Sequence, residues 1–422
     1  MNRWMALAAL VGLPAVPAAA QDWPRFRGPT GQGICAEKGL PLRWSAAENV
    51  AWKTPVPGEG WSSPVVWGER IFLTTATGNG ASCHVLCLDR GSGRVLWDAK
   101  VFDQETSRKE SKNSYASPTP VTDGRRVYAV FAAGGIAALD FEGKVAWTNR
   151  KNRYYSRHGM GVSPILYRDL LVLPFDWSRE ATGEEERVGW QKPWDQSFVM
   201  ALDRDSGRER WRTRRGMTRI AHVTPLVLEV DGKEQIISPA GDAVQGFEPG
   251  TGRLLWSVRS PGEGVVPGPV SGMGMLFTAS GFDGTVLRAV KLGGASGDAT
   301  ATHIAWEQKQ NVPMIPSLAF SEPHLFAIKE KGIASCMDAR TGKIVWQQRV
   351  GGNFSASPVL AEGRLYFLAE SGETTIIEAA AEYREVARNR LEEGEGPVQA
   401  SMAVSGGRLL IRTARNLWCI GK

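Results

Sequence analysis

Residues suited to metal and redox chemistry are scarce in this 422-residue chain, which has five cysteines and five histidines. Cys35, Cys83, Cys87, Cys336 and Cys419 include no CxxC motif and no adjacent pair, which argues against a zinc site, a redox dithiol and a haem-attachment segment. Cys83 and Cys87 fall in one predicted strand with Cα atoms about 13 Å apart, too far for a disulfide. Cys87, Cys336 and Cys419 instead share a repeat position with Ala138 and Ala201, as small buried side chains do. The histidines form no convergent triad, so no metal site is expected. Gly293-Gly294-Ala295-Ser296-Gly297 lacks the following Lys-Ser or Lys-Thr of a phosphate loop and reads as a flexible connection. A net charge of +6 is spread along the chain without a basic block, so nucleic acid is not an expected partner. Hydrophobic content of 42% with 48 Gly and 24 Pro describes a turn-rich globular chain, not a disordered one.

One apolar run does occur, at the start. Residues 1–20 combine Arg3, the stretch Trp4 to Val16 and the small residues Ala18-Ala19-Ala20, the pattern of a signal peptide. Pro14 and Pro17 interrupt that run, and it falls short of the roughly 20 apolar residues a bilayer demands. The expected mature product is a soluble periplasmic or secreted protein, a monomer, with residues 21–422 as one domain.

A repeat decides for one domain. A small residue, an apolar residue and an acid lead through a glycine turn to a base and, after two intervening residues, a tryptophan. Asp89, Gly93 and Trp97 mark one copy, Asp203, Gly207 and Trp211 another, and Asp338, Gly342 and Trp346 a third. Gly252 and Trp256 follow Glu248 in the same way, and Asp140 with Trp147 is one residue shorter. Trp52, Trp97, Trp147, Trp211, Trp256, Trp306 and Trp346 are spaced by 45, 50, 64, 45, 50 and 40 residues. A second marker opens each unit: Ser63-Pro64, Ser117-Pro118, Ser163-Pro164, Thr224-Pro225, Gly268-Pro269, Pro316-Ser317, Ser357-Pro358 and Ala400-Ser401. Each unit reads as a four-stranded antiparallel meander.

Such a sheet has two apolar faces that it cannot bury alone, so the units must stack around an axis until the ring closes. The predicted fold is therefore all-β, an eight-bladed propeller with one tryptophan-docking repeat per blade. The indole would cover the adjoining blade and donate to its backbone, while the acids hold turns and do not serve as metal ligands or catalysts. The eighth unit lacks its last strand. Asn49 to Lys53 is available to supply it and close the ring, leaving no open edge.

This Asp, Gly, base, Trp pattern resembles the repeat of the pyrroloquinoline-quinone (PQQ) propeller superfamily over nearly the whole mature chain. Trp23-Pro24-Arg25-Phe26-Arg27-Gly28-Pro29, Lys112 to Pro118 and Gly351 to Pro358 are similar to segments of exported planctomycete-type propellers, themselves similar to the outer-membrane-assembly propeller lipoprotein. The resemblance implies a repeat fold and export. For the superfamily's dehydrogenases it also implies PQQ with Ca²⁺, held by carboxylate and amide oxygens, an adjacent Cys-Cys pair and a catalytic Asp. The Cys-Cys pair has no counterpart here, so no cofactor is expected, and PQQ with Ca²⁺ enters by resemblance alone.

Loops leading into first strands and loops joining second to third strands gather at one end of a propeller axis. They bring Trp61, Lys112, Asn113, Tyr115, Arg157, His158, His222, Asn311 and Asn353 toward one funnel, with Asn79, Asp242, Asp283 and Glu330 beside them. The insertion from Asp176 to Asp195 carries Trp177, Trp190 and Trp194, which form either a stacking platform for a sugar or peptide or a lid over their own blade. The leading expectation is a non-catalytic binding or assembly scaffold whose funnel holds a protein segment or glycan. The alternatives are a PQQ- and calcium-dependent oxidoreductase acting on an alcohol or sugar, and a glycan-processing enzyme using Asp242 and Asp283.

Overall fold

The computed structural model describes residues 22–106, 109–156, 158–178 and 191–421. The predicted signal segment lies outside them, as do Arg157 and the insertion from 179 to 190. Eight antiparallel sheets form a ring, an eight-bladed β-propeller. Blade 1 runs through Val65–Trp67, Arg70–Thr77, Ser82–Asp89 and Val95–Asp103. Blades 2 to 7 repeat that meander, starting at Val121, Ile165, Leu226, Val270, Ala319 and Val359. First strands of neighbouring blades touch, which puts them at the axis.

Blade 8 takes Ala403–Ser405, Arg408–Arg412 and Asn416–Ile420 from the C-terminus and Val50–Pro55 from the N-terminal part of the chain. The pairing is antiparallel, with Trp52 opposite Cys419 and Lys53 opposite Trp418. The strand expected to close the ring does so.

Alternation along each strand explains why the blades stack. In Arg126–Val130, Val127 and Ala129 face blade 1, while Tyr128 and Val130 face blade 3. Every hydrophobic cluster between sheets is built this way, so each blade is half of two cores. A fully buried Leu or Phe in these layers contributes roughly 1.5–3 kcal/mol.

The closing tryptophans sit opposite the small residue of the preceding strand. Cys87 faces Trp97, Ala201 faces Trp211 and Cys336 faces Trp346. A bulge follows each pair and turns the indole outward over the next blade. There its N–H donates to a turn carbonyl: Trp52 to Arg90 (3.1 Å), Trp97 to Phe141 (2.8 Å), Trp147 to Arg204 (2.9 Å), Trp211 to Pro249 (3.0 Å), Trp306 to Ala339 (3.0 Å) and Trp346 to Ala380 (3.0 Å). Carboxylates shape those turns, as Asp89 does by accepting from the Ser92 amide (2.8 Å) and hydroxyl (2.6 Å). Asp203 and Asp338 do the same with Ser206 and Thr341. These hydrogen bonds hold the acids' pKa values below the ordinary carboxylate range.

Three positions depart from the expected repeat. Trp256 folds back over its own Gly246 and donates to Gln235 Oε1 (2.8 Å), because blade 5 has no acid-and-glycine turn to receive it. In its place Gly297–Asp298 adds a parallel strand to blade 4. Blade 7 has Ala387 at the tryptophan position; Trp44, from the segment before the closing strand, fills that cluster and is tied to Asn389 through its backbone N–H (2.9 Å). Blade 2 opens with Thr119-Pro120, not Ser117-Pro118, since its first strand begins at Val121.

Gly252 and Gly363 both have positive φ, 72° and 69°. A Cβ on Gly252 would lie 2.3 Å from the Trp211 ring, whereas one on Gly363 would meet nothing within 4 Å. Gly252→Ala is therefore expected to cost about 1–3 kcal/mol more than Gly363→Ala in denaturant unfolding; equal costs would show that the ring does not press on the turn.

Candidate functional site

The residues leading into the first strands place seven small side chains at the axis, Ser63, Thr119, Ser163, Thr224, Ser317, Ser357 and Ser401, with Gly268 at the remaining position. Backbone N–H groups pass from one blade to the next hydroxyl, from Ser63 to Thr119 (2.9 Å), Thr119 to Ser163 (2.9 Å) and Ser163 to Thr224 (3.1 Å). The series resumes from Gly268 to Ser317 (2.8 Å), Ser317 to Ser357 (3.1 Å) and Ser357 to Ser401 (2.9 Å). The result is a collar of hydroxyls around a cavity of about 150 Å³.

One end of the cavity is floored by the Trp-Pro-Arg-Phe-Arg-Gly-Pro segment. Trp23 pairs with Val66 beside blade 1, Pro24 O accepts from Thr122 N of blade 2 (2.9 Å), and Gln32 Oε1 accepts from Ser271 N of blade 5 (2.7 Å). Ile34–Cys35 then runs parallel to Leu360–Ala361 of blade 7, and Glu37 accepts from the Gly406 and Gly407 amides of blade 8. Phe26 faces the cavity from this floor. Arg27 is buried beside it, donating to Gln32 O (2.8 Å) and Leu318 O (2.5 Å). Nη1 of Arg27 lies 3.5 Å from where a Cβ of Gly268 would stand, so the one collar position without a side chain is the one beside the guanidinium.

The opposite end is open and lined by part of the expected funnel set: Trp61, Lys112, Asn113 and His222. Lys112 Nζ pairs with Glu370 Oε1 (2.6 Å) and so joins blade 2 to blade 7, skipping the two blades between; the Ser355 hydroxyl donates to the same oxygen (2.5 Å). Asn113 acts within the loops, donating from Nδ2 to His158 O (2.8 Å) and accepting from Ser114 N (2.9 Å). The ring of His158 stands edge-on to His222 at 6.0 Å. The other expected residues point elsewhere. Tyr115 packs against Gly80 of blade 1, and Asn353 is exposed outside the cavity lining. Asn79 is exposed too, and Asn311 lies outside the lining. Asp242 and Asp283 converge on Arg219 (2.6 and 3.0 Å) and do not face the axis. Glu330 caps the blade 6 loop by accepting from Met314 N (2.5 Å) and Ile315 N (2.7 Å). In the insertion, Trp177 and Trp194 pack against each other at 4.7 Å, and both indole N–H groups are satisfied internally. Trp190 lies outside the described residues.

Buried charge sets the character of this region. Burial alone lowers Arg27 to about 9, since no carboxylate pairs with it. His222 has both ring nitrogens buried and without partners, and burial, reinforced by His158, pushes its pKa down to about 3. Sequence reasoning missed Phe26, Arg27, Glu370 and Gln399. The collar was visible only as a recurring opener, and its hydroxyls were not seen as lining anything.

A family model described as outer membrane protein assembly factor BamB matches residues 43–189, 194–275 and 295–420. The chain belongs to that family. Its propeller is similar to BamB from Moraxella catarrhalis, at 14% identity and a TM-score of 0.59, over 87% of this chain and 96% of that one. A computationally designed protein, Ika8, gives a TM-score of 0.59 at 9% identity, over 90% and 100% of the two chains. A europium-containing methanol dehydrogenase gives 0.52 at 11%, over 94% and 90%. At such identities the BamB and dehydrogenase structures report the fold alone. No curated protein matches.

The His222 imidazole stays neutral in the native state, whereas the unfolded chain takes up a proton there below about 6.5. Native stability is therefore lost as pH falls from about 6.5 toward 3, by up to about 3 kcal/mol at pH 4 from this residue. In chemical denaturation at pH 7 and pH 4, His222→Gln is expected to lose less stability on acidification than the unaltered protein. Equal losses would contradict the burial of a neutral ring.

Proposed function

We propose that this protein is an exported, non-catalytic binding scaffold that holds a protein segment at the open end of its propeller. The observation that carries this reading is the lining of the axial cavity, which among the described residues contains hydroxyls, amides, one amine and one imidazole but no carboxylate and no thiol. Glycoside cleavage by paired carboxylates needs groups that this cavity does not present, and the one amine in the lining, Lys112, is engaged by Glu370. Asp242 and Asp283, the two acids considered for that role, are both held by Arg219. Membership of the assembly-factor family supports a protein as the ligand, and the signal-like N-terminus supports export.

The PQQ-dependent alternative requires calcium with six to eight oxygen ligands, carboxylates prominent among them. The cavity's donor set does not fit calcium, and its volume of about 150 Å³ falls below the roughly 300–1,000 Å³ of small-molecule sites. Purified protein titrated with PQQ and Ca²⁺ is expected to show no saturable binding and no dye reduction with alcohols or sugars. A photo-crosslinking residue at Asn353, on the open end, is expected to capture a protein in envelope preparations, and the same residue at Leu254, on the outer strand of blade 4, is not. Saturable quinone binding with turnover, or capture that is equal at both positions, would overturn the scaffold reading.

A further inference from the structure

We propose that the axial cavity is a site for a single carboxylate, held by the hydroxyl collar over the Arg27 guanidinium. The collar is rich in donors because of how it is built. Thr119, Ser163, Thr224 and Ser401 each use their oxygen to accept a backbone N–H from the preceding blade, which leaves the hydroxyl proton free to turn toward the axis. Ser357 is the exception, since it gives its proton to Ser317 (2.9 Å).

Other donors converge on the same space. The indole N–H of Trp61 is buried without a partner in the lining, and His222, 9% exposed with both nitrogens unpartnered, supplies one more N–H. Arg27, 2% exposed, stands just behind the lining: its unpartnered Nη1 lies beside Gly268 and its Nε is turned toward Gly33. Against these stand two unpartnered acceptors, Gln399 Oε1 and the second ring nitrogen of the neutral His222. Buried donors left unmade cost about 1–3 kcal/mol each, so a cavity of this composition favours an acceptor-only guest. The charge count selects a monoanion: Lys112 is already matched by Glu370 and His222 is neutral, so the Arg27 charge is the one left over. A carboxylate of formate or acetate size suits a cavity of about 150 Å³. The inference rests on the scaffold reading for the source of the carboxylate, a side chain or C-terminus of the held segment, but not for the site itself.

The test uses the full chain and formate as probe, followed by NMR line broadening at constant ionic strength set with a bulky sulfonate. Saturable binding is expected, weakened at least tenfold by Arg27→Gln and severalfold by Trp61→Phe, which keeps the ring and removes the donor. Should Arg27→Gln fail to fold, Trp61→Phe and competition between formate and acetate carry the test. Non-saturable broadening, or equal binding in the folded variants, would overturn the proposal. Displacement of formate by an acidic peptide or one with a free C-terminus, but not by its neutral amide, would identify a segment as the source. Formate binding without peptide displacement would keep the site and remove its link to the scaffold reading.

Discussion

The structure depends on one contact made repeatedly: an indole laid over the glycine turn of the next blade, with its N–H bonded to that turn's backbone. The contact needs a small residue behind the ring, a bulge to aim it, and a glycine with positive φ beneath it. Trp52 over Gly93, Trp147 over Gly207 and Trp306 over Gly342 meet all of these conditions. No blade is stable alone, because each of its faces is half of a core completed by a neighbour. Stability is therefore a property of the closed ring, and closure requires residues 50–55 to return to the C-terminal sheet.

Closure also makes the axis. Eight first strands crowd it, so only small side chains fit where they begin, and hydroxyls serve because six of them accept the amide of the blade before. The same residues thus hold the ring together and line its cavity. The segment from Trp23 to Cys35 stops one end, and the loops at the other end are tied by Asn113, Glu330 and the Lys112–Glu370 pair. What remains is a blind recess with a buried, unpaired guanidinium beside its base.

The fold was legible in the sequence because its determinants are local and periodic. The acid, glycine and tryptophan lie within one hairpin, and their repetition alone implies blades. The strand of Asn49 to Lys53 could be placed by what the last blade lacked. Exceptions were hidden where a distant segment substitutes for a repeat residue, as Trp44 does beside Ala387 and as Gly297–Asp298 does beside blade 4. The site was less legible. Loop membership brought Trp61, Lys112, Asn113 and His222 to the cavity, but it could not show that Tyr115 turns toward Gly80 or that Arg219 takes up Asp242 and Asp283. Arg27 was beyond reach, since its place is set by contacts with residues nearly three hundred positions away.

Hydrogen exchange tests the closed ring most directly. If the indole contacts and the returning strand bind all blades into one unit, amides of Val50–Pro55 and Asn416–Ile420 will exchange with the same high protection as the inner strands of blades 3 and 4, through global unfolding. Protection at that seam lower by several orders of magnitude, with the other blades unaffected, would mean that the ring opens there and that closure is not what holds the molecule together.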